Sequence, residues 1–230
     1  MSLPIQGISS MATRQVLAEL VAAYGARAAG PITIEAVGGV DAAKRVQAGE
    51  AFDLVVLASD AIDKLISAGH LRAGSRVDLV RSGVAVAVRA GAALPDLSTE
   101  DALRAAVLAA RSVSCSTGPS GVALGKLFER WGIADQIAGR MVQAPPGVPV
   151  GTLVARGEVE LGFQQLSELL HVEGITVAGP LPPAIQIVTT FSAGIPVGTA
   201  RAEEVRALLD FMVSPAADEA KQRQGMEPAR

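Results

Sequence analysis

Short apolar runs alternate with amphipathic stretches along almost the whole chain. Residues 4–8 form the first apolar run. From Ser10 onward Leu17, Leu20, Val21 and Tyr24 recur at helical spacing, with Gly25 as a stop. Pro31–Val37 alternates as a strand. Asp41–Ala48 reads as a helix with Asp41 as N-cap and Gly49 behind it. Phe52–Ala58 carries an apolar run, the pattern of a strand buried on both faces. Ser59 or Asp60 then opens a helix that runs to Ala68. A second series starts near Ser82, with a strand at Gly83–Arg89. A helix at Leu97–Ala110 follows, opened by Ser98 with Asp101 three residues on. Next come a strand at Val113–Ser116, a helix at Ser120–Trp131, a strand at Met141–Ala144 and a short helix at Gly151–Arg156. Leu161–Gln164 is a strand and Ser167–Leu170 a helical turn. Ile185–Thr190 leads back to a strand at Ser192–Val197, a helix at Ala202–Met212 and a helical tail.

This alternation predicts an α/β fold with largely parallel sheets. The chain enters a second series and returns from it, which predicts two lobes. Residues 1–82 with 192–230 form lobe I and residues 83–191 form lobe II. They are joined by crossing strands near 80–86 and 186–194, with a cleft between the lobes as the place for a small ligand.

Composition narrows the functional classes. Half of the 230 residues are apolar, ample for a sizeable core. The 20 basic and 23 acidic residues leave a net charge of −3, and no basic run points to nucleic acid. Aromatics make up 3 % of the chain, too few for stacking platforms. The single cysteine, Cys115, excludes an internal disulfide and a cysteine-based metal site. His70 and His171 show no metal-ligand spacing, so neither metal nor cofactor is expected. No apolar stretch is long enough for a transmembrane helix. No signal peptide is visible, and the compartment stays open: periplasmic if a signal segment has been trimmed, cytoplasmic if the start is native.

The candidate chemistry lies at three Gly/Ser stretches, each at the mouth of an expected helix: Gly7–Ser10, Val37–Asp41 and Ser116–Gly121. A helix N-terminus presents N–H groups without intrahelical partners at the positive end of the dipole, a natural anion receptor. Ser9, Ser10, Gly38, Gly39, Ser59, Thr117 and Ser120 are therefore candidate ligand contacts, although serines also cap helices with no ligand present. The Pro145–Pro149 turn adds Gly147 and Val148. Gln164 and Gln165 stand at the end of a buried strand, where two amides need partners. Ser120–Leu127 falls short of a phosphate-binding loop. Ser120 replaces the first glycine, and Leu127 stands where Ser or Thr must follow the lysine. Arg81 fits either a carboxylate clamp or a surface role.

Four stretches together resemble the type 2 periplasmic substrate-binding proteins, in the branch that includes the molybdate-binding proteins. They are the first strand with Ser9-Ser10, residues 43–60, Gly118-Pro119-Ser120-Gly121 with Trp131-Gly132-Ile133, and residues 208–215. The resemblance covers nearly the whole chain. It implies a monomer that closes on a small anion, with an ABC importer permease as a possible partner. The family's second serine position reads Gly38-Gly39 here, and its tyrosine falls on Gln164 or Gln165. These replacements suit a carboxylate better than a bare tetrahedral oxyanion. The leading expectation is thus a solute-binding protein for a small oxyanion or organic carboxylate, with no catalytic residue. The alternative is an isomerase of a small tricarboxylate, since aconitate isomerase is similar to this branch. Such an enzyme needs a general base, for which Cys115, Asp41 and Glu168 are available.

Overall fold

The computed structural model describes residues 4–28, 30–145 and 147–230. Pro146, within the Pro145–Pro149 turn singled out above, lies outside them. The chain divides into two compact units: unit 1 holds the residues up to Ser82 together with Thr190–Arg230, and unit 2 holds Gly83–Thr189.

In chain order, unit 1 begins with strand β1 (Ile5–Ser10), helix α1 (Arg14–Tyr24), β2 (Ile32–Val37), α2 (Gly39–Gln47), β3 (Leu54–Ala58) and α3 (Ser59–Ser67). Strand β4 (Val77–Arg89) carries the chain into unit 2. There follow α4 (Glu100–Ala109), β5 (Val113–Cys115), α5 (Pro119–Arg130), α6 (Ala134–Ile137), α7 (Val150–Ala155), β6 (Leu161–Gln165), α8 (Leu166–Leu169) and β7 (Ile175–Pro180). Strand β8 (Val188–Gly194) returns to unit 1, which ends with α9 (Ala202–Val213), α10 (Asp218–Arg223) and β9 (Glu227–Pro228).

The sheets are mixed. In unit 1 β1 runs parallel to β2 and β3, and β8 lies antiparallel to β3. In unit 2 β5 is parallel to β6, whereas β4 is antiparallel to both β6 and β7. Strands β4 and β8, which carry the chain from one unit to the other and back, supply these antiparallel pairs.

Alternation along β3 explains its apolar run. Leu54 and Val56 enter one core with Leu17 and Leu20 of α1 and Leu208 and Met212 of α9. Val55 and Leu57 enter a second core with Val46 of α2 and Ile62 and Leu65 of α3. Every β3 residue is buried, so no position can be polar. Tyr24 packs on Phe211 with ring centroids 5.4 Å apart. In unit 2, Val84, Val86 and Val88 of β4 face Leu103, Val107, Leu124 and Phe128. The intervening Ala85 and Ala87 are small, and Leu169 of α8 packs against them. Trp131 stacks near Phe128 at 5.8 Å and donates from Nε1 to Glu100 at 2.6 Å.

Several helix starts differ from the sequence expectation. Helix α2 begins at Gly39 with Gly38 as its N-cap, so Asp41 lies inside the first turn. Helix α3 has Ala58 as N-cap and takes Ser59 as its first residue. Helix α4 is capped by Thr99, whose hydroxyl accepts from the Ala102 N–H at 3.1 Å, and Ser98 stays outside. Met141 makes an isolated bridge to Val113, and no strand spans residues 141–144.

Candidate functional site

Parallel pairing gathers the predicted residues at the carboxyl ends of strands, where α/β folds place ligands. In unit 1 the register sets Ser10 beside Val37 and Ser9 beside Val56. The ends of β1, β2 and β3 therefore bring Ser9, Ser10, Gly38, Gly39 and Ser59 to one edge. Both serines belong to β1; Ser10 stands at the N-cap of a short 3-10 turn at Met11–Thr13 without a side-chain capping bond, and that turn separates them from α1. They differ in their bonding. The Ser9 hydroxyl donates to the Glu35 carbonyl at 3.4 Å. The Ser10 hydroxyl is buried without a partner. A Cβ on Gly39 would stand 3.6 Å from the Ser10 Cβ, so the first turn of α2 lies against this unsatisfied hydroxyl.

Unit 2 builds a second edge of different chemistry. Cys115 of β5 pairs with Phe163 of β6, so the Ser116–Gly118 turn and Gln164–Gln165 emerge side by side. The turn is tight. A Cβ on Gly121 would come within 1.6 Å of the Ser116 carbonyl oxygen, so only glycine fits there. The Ser116 and Ser120 hydroxyls lie 3.0 Å apart and satisfy each other. Thr117 is exposed, as is Gly147, while Val148 is partly buried.

Gln164 and Gln165 are each 3 % exposed and serve different partners. Gln165 Nε2 donates to Thr189 Oγ1 at 2.8 Å, and its Oε1 is buried without a partner. Gln164 Oε1 accepts from the Gly151 N–H at 3.2 Å, and Gln164 Nε2 donates to Glu168 Oε1 at 2.9 Å. Glu168, in α8, is partly buried, and burial pushes its carboxyl up to about 7 against the opposing Gln164 hydrogen bond. The spacing of Gln164 to Glu168 is four residues, but a strand-to-helix junction separates them. No periodicity in the sequence pairs them.

The other candidates offer less to a ligand. Burial pushes the Cys115 thiol up, which keeps it protonated and weakly nucleophilic. Asp41 is exposed on α2. Arg81 forms a surface ion pair with Glu227 at 3.5 Å. Two surface cavities of about 350 and 400 Å³ in unit 2 contain none of the predicted site residues. Among the described residues no cluster of His, Cys, Asp and Glu fits a metal ion, and no helix is long and apolar enough to cross a membrane.

An α/β chain that leaves one series of βα elements by one strand, builds a second and returns by another strand has the design of the type 2 solute-binding proteins. Residues 5–227 match the model of the bacterial extracellular solute-binding proteins, and the chain belongs to that family. The periplasmic molybdate-binding protein of Azotobacter vinelandii has the same fold, with a TM-score of 0.80 and 19 % identity over 98 % of this chain and all of that one. The sulfate-binding protein of Mycobacterium tuberculosis gives a TM-score of 0.80 at 15 % identity, over 99 % of this chain and 88 % of that one. The aconitate isomerase of a Pseudomonas species is 40 % identical over 185 residues, which cover 80 % of this chain and 70 % of that protein.

Proposed function

We propose that the chain binds a small polycarboxylate at its helix mouths and interconverts double-bond isomers of it by moving one allylic proton through Glu168. The observation that carries this reading is the Glu168 carboxyl, pushed up to about 7 by burial and bonded to the Gln164 amide at the end of β6. A group with that proton affinity is populated as both base and acid near neutral pH, as a proton shuttle requires. The 40 % identity to an aconitate isomerase supports the same substrate class.

The step balances without a cofactor. The Glu168 carboxylate takes a proton from the methylene carbon next to the double bond. The electron pair spreads over the allyl unit and the adjoining carboxylate. Protonated Glu168 returns the proton to the far carbon, the double bond shifts by one position, and the glutamate is regenerated. The first turn of α5, in the same unit as Glu168, holds a substrate carboxylate without a cationic side chain.

A second reading, a solute-binding protein that delivers its ligand to an ABC importer, is favoured by unit 1. Ser9, Ser10, Gly38, Gly39 and Ser59, gathered at its carboxyl edge, carry hydroxyls or no side chain, as a receptor for a small anion requires. One experiment separates the two. Thermal unfolding is followed with cis- and trans-aconitate, citrate, molybdate and sulfate, since a ligand of the folded state raises apparent stability. An ultraviolet assay then follows cis–trans interconversion. Stabilisation by a tricarboxylate with turnover, lost in Glu168→Gln, supports the isomerase. Stabilisation by tricarboxylate without turnover makes this a carboxylate-binding protein. Stabilisation by molybdate or sulfate alone overturns the carboxylate reading.

A further inference from the structure

We infer that Gln164 is a positioning residue for Glu168 and makes no contact with solute: its amide, oriented by the Gly151 main-chain N–H, presents only its NH2 to the carboxylate. The catalytic consequence rests on the isomerase reading; the bonding arrangement does not.

A glutamine amide has an accepting and a donating end, and its environment decides which faces where. Gly151 is the second residue of α7, so its N–H has no acceptor within the helix. It can only donate, and it fixes Gln164 Oε1 at 3.2 Å. Nε2 is thereby turned toward Glu168 Oε1 at 2.9 Å. The approach depends on a missing side chain. A Cβ on Gly151 would lie 3.2 Å from Leu169 Cδ2 and from Val172 Cγ2, so the α7 backbone is pressed close to α8 and its sequel. With Gln164 3 % exposed, little water competes for either bond.

The relay is the polar counterweight to burial at Glu168. Strands β6 and β7 and helix α7 carry no charged side chain. Lys126, Glu129 and Arg130 belong to α5, and the exposed His171 and Glu173 follow Glu168 along the chain; two opposed effects act on the Glu168 carboxyl. Burial raises its proton affinity, and the Gln164 hydrogen bond lowers it. A donor to the ionised form holds the carboxylate available as base and fixes one oxygen, leaving Oε2 to face a substrate.

The test reads Glu168 directly. Infrared difference spectra of wild type against Glu168→Gln isolate the carboxyl C=O band, whose loss with pH gives the midpoint. In Gln164→Met, of similar length without a donor, the midpoint rises by about one pH unit, and the pH–rate limb moves with it. The dissociation constant for a tricarboxylate stays within about threefold, because no solute contact is lost. An unchanged midpoint overturns the inference, as does a lost affinity with the midpoint in place, which would make Gln164 a solute ligand. Should Gln164→Met fail to fold, the wild-type protein suffices. Its Gln164 side-chain ¹⁵N resonance titrates with the Glu168 midpoint, and a resonance that ignores that midpoint overturns the proposal. Absence of turnover with every polycarboxylate defeats the isomerase reading while the spectroscopic midpoints still judge the relay.

Discussion

The two units present carboxyl edges built on the same principle and equipped for different tasks. Unit 1 gathers Ser9, Ser10, Gly38, Gly39 and Ser59, whose side chains are hydroxyls or absent. Among those residues the Ser10 hydroxyl is buried without a partner. Unit 2 gathers amides and a carboxyl, and there the Gln165 carbonyl oxygen is buried without a partner. One edge offers fixed dipoles that do not titrate; the other offers a group that changes charge near neutrality. The first edge suits the binding of an anion, the second the movement of a proton.

Substitutions at each edge break that comparison in different observables. The largest effect is expected from Glu168→Gln, which lowers isomerase turnover by about 10²–10⁴-fold and leaves tricarboxylate affinity within about threefold. Steady-state kinetics beside calorimetric titration separates the two. Gly121→Ala comes next, because the new methyl collides with the Ser116 carbonyl. We expect a loss of about 3 kcal/mol or a displaced turn, read by urea unfolding. The matching change in unit 1, Gly39→Ala, meets only the Ser10 Cβ at 3.6 Å and should leave stability within about 0.5 kcal/mol. Ser10→Ala removes a hydroxyl with no protein partner, so stability should hold while affinity falls about tenfold. Equal loss of stability and affinity would show that the hydroxyl serves the fold.

The smallest effect is in the pH dependence of stability. In the folded chain Glu168 holds its proton up to about 7, against an ordinary value of 4.5. Between those values the folded state binds more protons than the unfolded state, so stability declines as pH rises through that window. Glu168→Gln should flatten the decline, measured as the melting temperature at pH 5 and pH 8. An unchanged slope would mean that other groups set it.

The helices and most strands were legible because their burial is periodic. The β3 run, with cores on both faces, could be nothing but a buried strand. Strand β7 was missed: Ile175–Pro180 is partly buried along most of its length, so no alternation of buried and exposed positions marks it. Helix α2 was started too late because aspartate is the more familiar cap, whereas Gly38 takes that place and Asp41 lies within the first turn. At the site, the sequence marked the serines and glutamines by type and could not rank them. Ser9 and Ser10 are neighbours of one residue type, yet one hydroxyl is bonded and the other is not. Gln164 and Gln165 point to opposite faces of β6, as successive strand residues must, and so meet different partners. The Glu168 carboxyl became distinctive only through burial and the reach of an amide across a strand-to-helix junction.

The scarcity of aromatic residues has a practical consequence. The chain contains one tryptophan and one tyrosine. Tyr24 packs on Phe211 in unit 1, and Trp131 packs on Phe128 in unit 2. Each unit of the unmodified protein therefore carries its own optical label. Indole fluorescence excited at the red edge follows unit 2, and the phenol absorption band follows unit 1. Whether the two halves melt together or in sequence can be read from two signals in a single sample.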